Sequence, residues 1–169
     1  MKRHTLYLFV GYPGAGKTRV SRIIAETNGA VHLWADTERH KMFPNPTHSL
    51  EESQQLYDHL NAVTEDLLAQ GKSVVFDTNF NFHADREKLR AIAERQGAEM
   101  IILWIATPVE VAKKRAVGTR LLRNGYTMSM SEEQFDAIAA KLEPPTKDEN
   151  FIKIDGTEID REKIIRLLR

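Results

Sequence analysis

Short apolar runs alternate along the chain with longer segments whose apolar residues recur every three to four positions. "TLYLFV" (Thr5 to Val10) reads as a short buried strand, and "KTRVSRIIAET" after it as a helix with Val20, Ile23, Ile24 and Thr27 on one face. "VHLWA" (31–35) is a second strand. A long amphipathic helix is predicted from about Ser49 to Gln70, with Leu56, Tyr57, Leu60, Val63, Leu67 and Leu68 as its apolar stripe. "SVVF" (73–76) is a third strand, and "FHADREKLRAIAERQ" a helix with Leu89, Ile92 and Ala93 inward. "MIILWI" (100–105), almost wholly apolar, has the character of a parallel strand covered on both faces. "FIKI" (151–154) is a fifth strand, followed by a last helix from about Glu158 to Leu168. Trp34 and Trp104 fall within strands and are expected in the core.

Helix starts are marked chemically. Ser49-x-x-Glu52, Thr107-x-x-Glu110 and Ser131-x-x-Gln134 match the capping box, and Pro108 sits where a first-turn proline belongs, so Thr107 reads as a cap. Strand and helix in alternation imply an α/β protein with a parallel sheet and helices on both faces. No repeat, low-complexity tract or linker interrupts the pattern, which makes residues 1–169 a single domain.

Composition narrows the picture. At 169 residues and 41% hydrophobic, the chain can bury one sizeable core. Without cysteine it has no disulfide, Cys-zinc site or thiol nucleophile, and six histidines show no metal-binding spacing. The basic pair Lys2 and Arg3 before "TLYLFV" imitates a signal peptide, but the apolar run is too short for one; no stretch approaches a membrane span, and a cytoplasmic location is expected. Twenty-four basic residues balance 24 acidic ones, which argues against a broad nucleic-acid-coating surface but not against a local basic pocket. Lys113, Lys114, Arg115, Arg120 and Arg123 cluster between Glu110 and Glu132 with no acid among them.

The strongest chemical signal lies between the first strand and the first helix. "GYPGAGKT" fits G-x-x-x-x-G-K-[ST] through Gly11, Gly16, Lys17 and Thr18. Glycines there let backbone N–H groups converge on an anion, and the helix adds its positive end. Gly11, Tyr12, Pro13, Gly14, Ala15, Gly16, Lys17 and Thr18 are therefore expected to bind a nucleoside triphosphate, with Lys17 on the terminal phosphates and Thr18 on Mg²⁺.

Ligand sites in open parallel sheets form at the carboxyl ends of the strands. Asp36 follows the second strand there, with Arg39 three residues on, and Asp77-Thr78-Asn79 follows the third. Phosphoryl transfer needs positioning, Mg²⁺, neutralised charge and a proton acceptor. Asp36 is the candidate base, with an N-cap as its alternative role; Arg39 and Asn79 are candidate acceptor contacts; Asp77, ending an apolar strand, resembles a Walker B carboxylate near Mg²⁺. "VGTRLLRNGYTMSM" (117–130) has no clean period and carries Arg120 and Arg123, as a lid closing over phosphates would, with a plain surface loop as the alternative.

"GYPGAGKT", "ADTER", "VVFDTNFN", "TPVEVAKKRAVGTR" and "KLEPPTKDE" occur in an order and spacing that resembles the AAA-type P-loop kinases related to the 5′-hydroxyl kinase domain of polynucleotide kinase. Zeta toxins and chloramphenicol phosphotransferase look like more distant relatives. The resemblance covers nearly the whole chain. It implies a three-layer P-loop NTPase fold with strand order 2-3-1-4-5, ATP as donor, Asp36 as base, Arg39 as an acceptor contact, and Arg115 or Arg120 as the clamp on the transferring phosphate. The chain departs from the group at Trp34-Ala35, where Ser or Arg often precedes the catalytic Asp. The expected function is an ATP- and Mg²⁺-dependent kinase acting on a hydroxyl, either a nucleic-acid 5′ end or a small molecule; the alternative is a nucleotide-binding switch acting through a protein partner.

Overall fold

All six residues of β1 (Thr5–Val10) are buried, which a strand achieves only with a layer on each side. Its side chains divide accordingly. Leu6, Leu8 and Val10 join one core cluster, and Tyr7 and Phe9 join another. The computed structural model, which describes residues 3–169, places β1 at the centre of a five-stranded sheet; Lys2 of the basic pair lies outside the described residues.

The remaining strands of this sheet are β2 (Val31–Trp34), β3 (Val74–Asp77), β4 (Glu99–Ile105) and β7 (Phe151–Ile154). They are ordered β2-β3-β1-β4-β7, and every pairing is parallel. Since β7 is the fifth predicted strand, this is the expected order 2-3-1-4-5. One face is covered by α3 (Leu50–Ala69) and α4 (His83–Arg95), through Leu56, Leu60, Leu68, Leu89, Ile92 and Ala93. The other is covered by α1 (Lys17–Asn28) and α7 (Arg161–Leu167), through Val20, Ile23, Ile24 and Ile164. The result is a three-layer α/β fold. Among the described residues no helix is long and apolar enough to cross a membrane.

Between α5 (Val109–Ala116) and α6 (Glu132–Ala139) the chain forms an antiparallel hairpin, β5 (Gly118–Leu121) and β6 (Thr127–Met130). Sequence periodicity misses both strands for a physical reason. β5 turns no residue into a core, and β6 turns only Met128 and Met130 half inward, which is too short an alternation to set a period. A third cluster beneath the hairpin joins Ala112, Ala116 and Phe135 to Tyr12 of the glycine-rich loop.

Several local expectations are corrected. Thr27 is exposed, because it lies in the last turn of α1, past the residues that cover the sheet. The fully covered line of α3 is Leu56, Leu60, Thr64 and Leu68, while Tyr57, Val63 and Leu67 flank it half-buried. Trp34 and Trp104 are half-buried rather than core. Ala35 leaves the second strand and opens α2 (Ala35–Met42). The last helix starts at Arg161, where Asp160 caps the backbone N–H of Lys163. Ser131 and Gln134 form a complete capping box, and Ser49 accepts from the Glu52 N–H. Thr107 is not a cap; Pro108 holds that position with no side-chain hydrogen bond.

Candidate active site

The loop from Gly11 to Gly16 joins β1 to α1. Gly14 and Gly16 take left-handed conformations (φ 78° and 109°), which glycine adopts without strain. A Cβ at Gly14 would also collide with the Ala112 carbonyl, so α5 packs directly against the loop. Gly16 stands at the N-cap and offers no side chain to the first turn, leaving the N–H groups of that turn for an outside acceptor. Lys17 arcs back over the loop and donates from Nζ to the carbonyls of Gly11 (2.9 Å) and Tyr12 (2.7 Å). Burial of its ammonium lowers the pKa to about 8; the nearby Asp77 carboxylate works against this, and the positive charge of Arg120 adds to it. Lys17, Asp77 and Arg120 thus share one electrostatic neighbourhood.

The loop is anchored by residues whose role the sequence does not reveal. Buried Asn81 accepts from the Gly11 N–H through Oδ1 (3.1 Å) and donates to the Gly11 carbonyl through Nδ2 (3.2 Å). Its own carbonyl accepts from the Glu143 N–H (2.8 Å), so the Glu-Pro-Pro segment braces the loop from outside. Thr107 donates from Oγ1 to the Ala15 carbonyl at 2.8 Å. Gly156 in the turn after β7 lies so close to Thr107 and Ala15 that no Cβ fits. Asn81 sits two residues beyond the candidate Asn79, and burial is what separates them. Asn81 is enclosed, whereas Asn79 is exposed.

Asp77 ends β3 and is only 4% exposed, so the partners of its carboxylate define its orientation. Oδ1 accepts from the Thr18 hydroxyl at 3.3 Å, and Oδ2 is 2.9 Å from His32 Nε2. Asp36 is the second residue of α2; Trp34 is the N-cap, so capping does not account for the aspartate. Its Oδ2 accepts from Asn124 Nδ2 at 3.0 Å, and the same amide reaches Thr37 Oγ1 at 3.1 Å. Beside it the rings of Tyr126 and His40 stack at 3.8 Å and 10°. The hairpin tip therefore rests on α2, over the candidate base.

Arg39 is engaged elsewhere. It is buried, and it donates to Glu52 (2.6 Å) and Ser53 (3.3 Å) at the start of α3. Burial would raise the Glu52 pKa, but hydrogen bonds from the Thr47 N–H, Arg39, the Thr47 hydroxyl and the His48 N–H together hold it down to about 2. An acceptor contact at Arg39 competes with this ion pair, whose evident effect is to tie α2 to α3.

The two candidate arginines differ in how fully they are used. Arg115 donates from Nη1 to the Gly156 carbonyl (3.0 Å) and toward that of Gly14 (3.4 Å), fastening α5 to the loop. Arg120 has only a weak contact from Nη2 to the Met128 sulfur (3.4 Å), and its buried Nε has no hydrogen-bond partner among the described residues. Lys113 is paired with Asp136 (2.9 Å), and Arg123 is exposed. A second group of possible ligands, His83, Glu87 and Glu149, lies by α4, where both Glu149 oxygens are bonded to buried Arg86 at 2.7 and 3.0 Å.

A family model described as an AAA domain matches residues 6–145. No curated protein matches the chain. Among solved structures, a candidate kinase from Chloroflexus aurantiacus J-10-fl superposes with a TM-score of 0.76 at 18% identity, covering 100% of this chain and 96% of that one. The APS kinase CysC of Mycobacterium tuberculosis, in complex with AMPPNP and APS, gives 0.70 at 17% identity, covering 99% and 97%. A gluconokinase from Sinorhizobium meliloti 1021 gives 0.64 at 19% identity, covering 97% and 87%. At these identities the likeness is one of fold.

Proposed function

The chain belongs to the AAA domain family matched over residues 6–145, and from that premise we propose that it is an ATP-dependent kinase transferring the γ-phosphoryl group to a hydroxyl. The observation that carries this reading is the convergence of Lys17, Asp77 and Arg120 at the glycine-rich loop, with Arg120 Nε buried and unpaired among the described residues. Two partly desolvated cations around bare helix N–H groups are suited to a polyanion such as a triphosphate. The kinase names of the structural neighbours, one of them with AMPPNP bound, agree with it.

In this reading Lys17 exchanges its two carbonyl partners for phosphate oxygens, and the first-turn N–H groups of α1 hold the same group. The Thr18 hydroxyl and Asp77 carboxylate, hard oxygen ligands 3.3 Å apart, fit Mg²⁺. When bound, that ion would offset charge on the phosphate oxygens. Asp36 orients the acceptor hydroxyl and takes its proton as the new P–O bond forms and the bond to ADP breaks. Arg120, with its free Nε, stabilises charge on the transferring group, while Arg115 keeps α5 on the loop. Asn79, exposed beside Asp77, faces the acceptor, and Arg39 positions α2 through Glu52.

Zero net charge, together with neighbours named for gluconate, sugar and APS, favours a small-molecule hydroxyl or the 5′ end of a short oligonucleotide over a long nucleic acid. The test is transfer of label from [γ-³²P]ATP to a panel of sugars, nucleosides and 5′-hydroxyl oligonucleotides. Label on at least one acceptor supports the proposal. ATP bound but no acceptor labelled, with triphosphate-dependent capture of a protein instead, would favour the switch.

A further inference from the structure

His32 has no part in the chemistry above, yet its ring reaches the carboxylate on which the Thr18–Asp77 pair depends. It lies on β2, next to β3 in the sheet, with Nε2 2.9 Å from Asp77 Oδ2. Oδ1 of the same carboxylate is the oxygen that meets Thr18. The two oxygens are thus divided, one facing His32 and the other Thr18. An ionised carboxylate only accepts hydrogen bonds, so Nε2 carries the donated proton. Trp34, two residues along β2 and on the same face, lies parallel to the imidazole (centroids 6.0 Å apart, planes within 4°), which limits tilting of the ring.

We propose that His32, steadied by Trp34, is a positioning residue for Asp77: it holds Oδ2 so that Oδ1 is presented beside the Thr18 hydroxyl for a divalent cation. This rests on the kinase reading and specifies how its cation site is built. It also gives a use to Trp34, one of the two residues, Trp34-Ala35, at which the chain departs from the group it resembles. Partners that orient a ligating carboxylate typically contribute ten- to a hundredfold in metal affinity.

The experiment measures the Mg²⁺ concentration that half-maximally raises the melting temperature of the protein in saturating ATP. His32→Leu keeps the bulk but removes the donor; His32→Gln restores an N–H at similar reach. His32→Leu should raise the required Mg²⁺ roughly tenfold or more, with metal-free ATP binding close to wild type. Because Asp77 Oδ2 loses its donor inside the fold, the unliganded melting temperature should fall, and the Mg²⁺ requirement is read from the shift above each variant's own unliganded value. His32→Gln should recover most of the loss. Mg²⁺ dependence unchanged in His32→Leu, or equally weakened in both variants, overturns the proposal. If wild-type protein itself shows no Mg²⁺- and ATP-dependent stabilisation, the kinase reading fails first, and this inference with it.

Discussion

Asp36 is the residue at which catalysis and structure separate most cleanly. Its place in the sequence suits either a base or an N-cap. The structure puts Trp34 at the cap and leaves the Asp36 carboxylate with an amide partner from the hairpin tip. A hydroxyl is a poor nucleophile at neutral pH, so a carboxylate that orients it and takes its proton is expected to contribute on the order of 10²-fold or more. Asp36→Asn, nearly isosteric, should therefore lose transfer by about that factor while keeping ATP affinity and melting temperature. Transfer at the wild-type rate would remove Asp36 from the mechanism. The residue scale is also where the sequence says least. Asn81, His32 and Gly156 act through burial and close approach to partners 45 to 141 positions distant, as in the pairs Asn81–Gly11, His32–Asp77 and Gly156–Ala15. No local pattern marks such pairs.

At the scale of elements, legibility follows burial. The bounds of β1 can be read to the residue, because a strand covered on both faces needs an unbroken apolar run and the glycine-rich turn ends it sharply. The β5–β6 hairpin reads in sequence as an irregular excursion because its only inward apolar residues, Met128 and Met130 on β6, are half-buried and too few to set a period. Its proposed function depends on one side chain. Arg120→Ala should reduce kcat by roughly 10³ or more with a smaller effect on ATP affinity, as expected for an arginine acting on the transferring phosphoryl group. Arg115→Ala should instead lower stability and ATP affinity together, since it releases the Gly156 and Gly14 carbonyls that hold α5 to the loop. Steady-state kinetics paired with melting curves separates the two. Equal kcat losses without a stability change would place both arginines on the phosphate.

Across the whole molecule, one chain of contacts links the layers to the loop. The Glu143 N–H holds the Asn81 carbonyl, the Asn81 side chain holds Gly11, Thr107 holds Ala15, and Ala112 presses on Gly14. The sheet order is legible in the sequence because parallel strands with intervening helices admit few connections. The bracing is not, since it arises only once the turn after β7 and the Glu-Pro-Pro segment have folded against the loop. The backbone of the turn is held from α5, from the segment after β3 and from the turn after β7 at once.

The central claim is that residues 11–18 hold a nucleoside triphosphate, and melting with and without ligand tests it most directly. A ligand that binds only the folded state raises its apparent stability in proportion to RT ln(1 + [L]/Kd). Wild-type protein should melt several degrees higher in saturating Mg·ATP, with a smaller shift in ATP alone. Lys17→Ala should lose most of the Mg·ATP shift while its unliganded melting temperature stays near wild type, because Lys17 makes its two hydrogen bonds to loop carbonyls at the cost of desolvating its ammonium. A wild-type melting curve indifferent to saturating Mg·ATP, or an equal shift in Lys17→Ala, would contradict the account.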